Sequence, residues 1–172
     1  MNGHRERQVR MLLVAVYVTV TGLACTRQTD SAAGPEISNH PPPVSVVSGP
    51  FSYAFATRDC APWDGPAVVV YLLDSPSDAV PPPTRHVRVT IWKSQAELAR
   101  HVFRWPANRG SGAAALCSSP DSCEPANEGE ITFGAVVDNS SIEGELDFRF
   151  SESNRVRQAF KAAWRPRVIG CG

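Results

Sequence analysis

The chain has 172 residues carrying 17 basic and 17 acidic side chains. That balance argues against the one-sided basic excess of a nucleic-acid-binding surface. The length suits one domain with its own core, and the five cysteines make redox compartment a question from the start.

In chain order, Arg5, Arg7 and Arg10 form a charged start, Met11 to Val20 an apolar run, and Thr21-Gly22-Leu23-Ala24 a small-residue segment ahead of Cys25. This is the layout of a signal peptide over residues 1–24. The apolar run is ten residues, or thirteen with Thr21 to Leu23, whereas a permanent membrane helix takes about 20. A retained anchor helix is therefore the weaker reading.

Gly22-Leu23-Ala24-Cys25 resembles the lipobox of bacterial lipoproteins, with Gly22 where that family usually carries an aliphatic residue. The resemblance implies that Cys25 is diacylated on sulfur and becomes the first mature residue. Two or three acyl chains would then hold the protein on a membrane, at about 0.8 kcal/mol per buried methylene. Thr26, standing where an Asp would imply inner-membrane retention, implies the outer membrane, facing the periplasm or the cell surface. The plainer alternative is a secretory signal cut near Ala24, leaving a secreted protein with Cys25 as an odd thiol.

Without the first 24 residues, 14 basic and 16 acidic side chains remain, so the expected membrane partner is reached through lipid and not through a polybasic patch. Residues 25–50 are rich in Ser, Thr, Pro and Gly, include Pro41-Pro42-Pro43, and show no hydrophobic period. They read as a stiff, disordered tether.

Residues 51–172 read as a single β-rich domain. Phe51 to Thr57 alternates aromatic with small or polar residues, the mark of a half-buried strand. Ala67 to Leu73 is a continuous β-branched and aliphatic run, expected for a central strand covered on both faces. Asp74 to Thr84, with Pro76 and Pro81-Pro82-Pro83, is neither helix nor central strand and is expected as a surface loop. His86 to Trp92 places Val87, Val89 and Ile91 on one side and His86, Arg88, Thr90 and Trp92 on a polar one.

Ser94-Gln-Ala-Glu97 matches a capping box, so a short helix is expected over residues 95–102. Ala107 to Ser119, rich in Gly, Ala and Ser, reads as a loop with at most a short strand near Ala113 to Cys117. Ile131, Phe133, Ala135 and Val137, then a turn at Asp138-Asn139-Ser140, then Ile142, Gly144, Leu146, Phe148 and Phe150, predict a hairpin. Arg155 to Arg165 fits a strand or a helical stripe. Strand is preferred because it sets Asp147 across from Arg157, Glu143 across from Lys161, and Val156 against Phe148.

Four cysteines follow Cys25, and in an exported chain they read as two disulfides. The Pro-Asp turn inside Cys117 to Cys123 favours local closure, which leaves Cys60 for Cys171. Spacings of 57, 6 and 48 residues lack the close pairs of structural zinc, and no C-x-x-C suggests redox work. The expected fold is mainly β: an antiparallel sandwich or partly open barrel of six to seven strands with one short helix.

No catalytic residue, metal ligand or cofactor motif is identified. G-x-S-x-G is absent, His86 reads as the polar opening of a strand, and His101 as a helix end. Glu143, Glu145 and Asp147 alternate on a solvated face instead of sharing an apolar pocket. Asp121 and Glu124 lack calcium-loop spacing. Trp63 and Trp105, beside prolines in loops, are the candidate ligand contacts. The function expected is a non-enzymatic envelope module binding a protein, glycan or small apolar ligand, with a hydrolase of unrecognised class or a structural envelope-assembly protein as alternatives.

Overall fold

The computed structural model describes residues 49–171, all within the unit Ser38–Gly172. The signal segment, the lipidation site Cys25 and the tether as far as residue 48 lie outside the described residues. Phe51, two residues into the described region, is already a core side chain at 1% exposure.

Nine strands form one sheet: β1 (Tyr53–Cys60), β2 (Pro66–Leu73), β3 (His86–Ile91), β4 (Val102–Trp105), β5 (Gly112–Ser119), β6 (Ser122–Pro125), β7 (Glu128–Val137), β8 (Ser141–Arg149) and β9 (Arg155–Arg165). Their order is β4-β7-β8-β9-β1-β2-β3-β5-β6, curled into a half-barrel. The architecture corrects the expected count of six or seven strands and the antiparallel sandwich, and agrees only roughly with the partly open barrel. The first and last long strands lie side by side in parallel, Phe55 opposite Ala163 and Thr57 opposite Arg165, so the sheet is mixed. The two strands at the sheet edges, β4 and β6, have four residues each, too few to show a period. Short edges also leave little unpaired backbone to recruit another chain.

Curvature has local causes. The register of β7 on β8 shifts between Phe133 and Val136, the signature of a bulge, and bulges bend and twist a strand. Gly144 sits opposite Phe160, and a Cβ there would lie 2.8 Å from the Phe160 ring, so the missing side chain is the notch that admits the ring.

The inner face carries the main core: Val68, Val70 and Leu72 of β2, Val87, Val89 and Ile91 of β3, and the aromatic rings of Phe103, Phe133, Phe148 and Phe160. The outer face of β1 and β2 carries a second cluster, Phe55, Val69, Tyr71 and Leu73, against which Val80 packs. The expected central strand is thus covered on both faces, and the proline-rich loop supplies the outer cover, with Pro82 buried in it. Arg165 fastens that loop: its guanidinium stands 4.0 Å from the Phe55 ring centroid, donates to the Ser77 carbonyl at 2.6 Å and lies 3.3 Å from Asp78. The same cover overturns the expectation for His86, which is fully buried and not on a solvated face.

Between β3 and β4 the expected helix over 95–102 is a single 3-10 turn, Gln95–Glu97. The capping box is present, with Ser94 N–H donating to Glu97 Oε2 at 2.9 Å. The chain leaves helical geometry at Arg100, whose φ is 61°, and Val102 enters β4. Leu98 is drawn wholly into the core, so tertiary packing overrides local helix preference. Ala107 to Ser119, expected mainly as loop, contains the eight-residue β5.

Residues 155–165 form a strand with the expected register, Phe148 opposite Val156 and Asp147 opposite Arg157. Asp147 takes its close ion pair from Arg155 at 2.7 Å and leaves Arg157 at 3.9 Å. Gln158, buried in the inner row, accepts from Phe51 N–H at 3.2 Å and donates to Phe51 C=O at 3.0 Å. An amide satisfies both backbone groups of a residue that has no strand partner, as buried peptide groups require.

Candidate functional site

Ladder registers define the two ends of the half-barrel. At one end lie the Cys60 to Pro66 turn, Ile91 opposite Gly112, and Val137 opposite Ser141. The other end holds Tyr53 opposite Leu73, His86 opposite Cys117, and Arg149 opposite Arg155. Phe51 leads into β1 at that second end, so the chain enters the domain there. The first end is the distal one.

Trp63 crowns the distal end at 60% exposure. Its turn is closed by Ala61 N–H to Gly65 C=O at 2.8 Å and by Asp64 N–H to Ala61 C=O at 3.0 Å, with Asp64 at φ 63°. A Cβ at position 65 would lie 2.9 Å from the Trp63 indole nitrogen, so Gly65 gives the ring its seat. Trp92, just past β3, meets Trp63 edge-to-face at 5.0 Å and 75°. An exposed indole is thereby seated against a second ring and over a position without a side chain. Trp92 was legible only as the last residue on the outer side of a strand.

Trp105 is placed differently. It belongs to strand β4 and not to a loop, pairs with Gly129 toward the other end of the sheet, and is half-buried against Phe103. The Arg109 guanidinium lies 5.3 Å from its ring centroid, occupying that face. The two candidate tryptophans are therefore not brought together.

Beside the distal turn is a mostly apolar cleft of about 290 Å³, floored by Pro66, Ala67 and Val68 and walled by Ala96 and Ile169, with Arg58 at its rim. Gln95 positions the opposite wall, donating to Val137 C=O at 3.3 Å and accepting from Asn139 N–H at 3.4 Å. The cleft closes onto the Cys60–Cys171 disulfide; the second disulfide joins Cys117 to Cys123, the pairing expected.

A larger depression of about 400 Å³ lies on β7–β9 among Glu130, Glu145, Asp147 and Arg157. Glu130 there is matched by Arg104 at 3.0 Å and Asp147 by Arg155 at 2.7 Å, and Lys161 pairs with Glu143 at 2.6 Å farther along the same face. Hydrogen bonds from Arg155 hold the Asp147 carboxyl below its ordinary pKa, so it stays ionised and is no proton donor near neutral pH. Glu124 accepts from Asn154 at 3.2 Å. Among the described residues no three His, Cys, Asp or Glu side chains converge as a metal-binding group.

His86 Nδ1 lies 2.7 Å from the Thr84 carbonyl, a contact that places the ring proton on Nδ1. His101 follows a turn instead of ending a helix, and its backbone carbonyl accepts from Phe133 N–H. Burial holds both imidazoles below the ordinary value of 6.5. Each then contributes stability that is complete above 6.5 and is lost as pH falls through that value toward the depressed folded one. Thermal melts are expected to give a lower Tm at about pH 5.5 than at about pH 7.5, with most of the difference removed in His86→Phe. A Tm unchanged between the two, in the parent chain, would contradict the burial of His86.

Comparison with protein families, curated proteins and solved structures finds no match to this chain.

Proposed function

We propose that the protein is a lipid-anchored module of the bacterial cell envelope that binds a partner through its distal end, without catalysis. The observation that carries this reading is Trp63, a large apolar side chain 60% exposed yet fastened by Trp92 and Gly65. Leaving such a ring in water is unfavourable, and rigid aromatic anchors are the residues from which interfaces draw most of their energy. The neighbouring cleft adds an apolar recess of the size of one or two side chains. Two disulfides in a chain with a lipobox-like leader accord with a location outside the reducing cytosol.

The test compares full-length protein with Trp63→Ala for binding to envelope glycans and envelope protein fractions, followed by intrinsic fluorescence. Trp63→Ala is expected to weaken binding by about 2 kcal/mol or more, with Tm little changed because the side chain is exposed. Equal binding by the variant contradicts the reading. So does turnover of ester, phosphate or glycoside substrates that is lost in His101→Ala.

A further inference from the structure

The C-terminal residues beyond β9 hold the distal cleft in a particular state. Arg165 is locked by Phe55, Ser77 and Asp78, and its carbonyl accepts from Thr57 Oγ1 at 2.9 Å, so the chain is fixed up to that point. Pro166 follows and cannot donate to a ladder. Among the described residues, 166–171 make no backbone–backbone hydrogen bond. Val168 is fully exposed, whereas Ile169 is half-buried as a wall of the cleft. A segment with no ladder and one apolar foothold has little of its own to keep it docked. What fastens it is the bond from Cys171 to Cys60.

We infer that residues 166–171 are a strap over the distal cleft, latched by the Cys60–Cys171 disulfide, and that a dithiol reductant opens the cleft by releasing the strap. The inference rests on the reading of the distal end as a contact surface and adds its regulation. Cys171 is exposed and Cys60 half-buried, so the accessible sulfur is that of Cys171. A reductant thiolate attacks Cys171 Sγ, the S–S bond breaks, and Cys60 leaves as a thiolate that takes up a proton. The second thiol of the reductant then attacks its own bonded sulfur, freeing Cys171 as a thiol and leaving the reductant as a disulfide. Two electrons and two protons pass to the protein. In the other bond Cys117 of β5 is fully buried and Cys123 half-buried, so neither partner is exposed as Cys171 is.

The experiment uses full-length protein and reads three signals: the rate of tryptic cleavage after Arg167, amide hydrogen exchange over the β1–β9 ladder, and binding of the apolar dye anilinonaphthalene sulfonate. Four samples are compared: oxidised protein, protein treated with dithiothreitol to the point where mass mapping shows only Cys60–Cys171 reduced, Cys60→Ser/Cys171→Ser, and oxidised Ile169→Asp. Release is expected to speed tryptic cleavage after Arg167 by about tenfold or more and to create one dye site, while the β1–β9 ladder keeps its exchange protection. Oxidised Ile169→Asp, with the foothold removed and the latch intact, is expected to resist cleavage as the parent does, and the selectively reduced sample keeps the test valid if the double serine chain does not fold. Unchanged cleavage after selective reduction overturns the inference, and so does loss of ladder protection, because the bond would then hold the fold and not the strap. The dye reports opening without any biological partner, so failure here leaves the Trp63→Ala result standing, and the reverse is also true.

Discussion

Gly129→Ala is expected to destabilise the domain by roughly 3–5 kcal/mol, combining backbone strain with overpacking. Gly129 opens the long strand β7 with φ 142°, a conformation that side-chain-bearing residues rarely adopt. It stands opposite Phe148, and a Cβ built there runs into the Asp147 carbonyl oxygen and lies 2.6 Å from Phe148 Cα. Both obstacles are backbone of the neighbouring strand, which cannot swing aside as a flexible side chain can. Phe148 is a fully buried member of the core, so any shift of β8 is felt through it. Gly134 on the same strand is the control: a Cβ there meets nothing nearer than the Glu143 carbonyl at 3.7 Å. Gly134→Ala is expected to change stability little. Urea melts of both variants check the pair, and equal midpoints would contradict the close approach at Gly129.

The second large effect concerns the two disulfides. Cys60–Cys171 spans 111 positions and Cys117–Cys123 only 6. On the chain-entropy account, removing the first costs up to about 4.8 kcal/mol and removing the second up to about 2.4 kcal/mol. For the long bridge the loss should fall below that ceiling, because the freed strap gains entropy in the folded state while β1–β9 pairing remains. For the short one the full cost is expected, since Cys117 and Cys123 face each other across the β5–β6 ladder. Denaturant melts of the two double-serine chains test this. A long-bridge loss at or above the ceiling would mean that the bond holds more than a strap.

Much of the sheet was readable from residue order because one face of each long strand meets the core and the other meets solvent. β8 shows this in Leu146, Phe148 and the intervening charges, and β9 was decided by the charge pairing it allowed with β8. What escaped was set by distant parts of the chain. His86 alternates onto an outer face, but Val80 and Pro82 return to cover that face, and no local period announces a covering loop. Ser94 to Glu97 carries a true capping box, yet Leu98 is claimed by the core before a second helical turn can form. β5 is built from Gly112, Ala113, Ala114 and Ala115, side chains too small to display a pattern. The candidate site was half legible: Trp63 stood out beside its prolines, whereas its seat on Trp92 and the cleft wall at Ile169 depend on contacts between segments far apart in sequence.

Lipid anchoring and the disulfide latch both require a chain that is exported, clipped and oxidised. The most direct measurement is the intact mass of the native protein isolated from cells without reductant. The expected result is loss of residues 1–24, a diacylglyceryl group on Cys25, and the mass deficit of two disulfides. An unclipped polypeptide beginning at Met1 with all five sulfurs as thiols would contradict it.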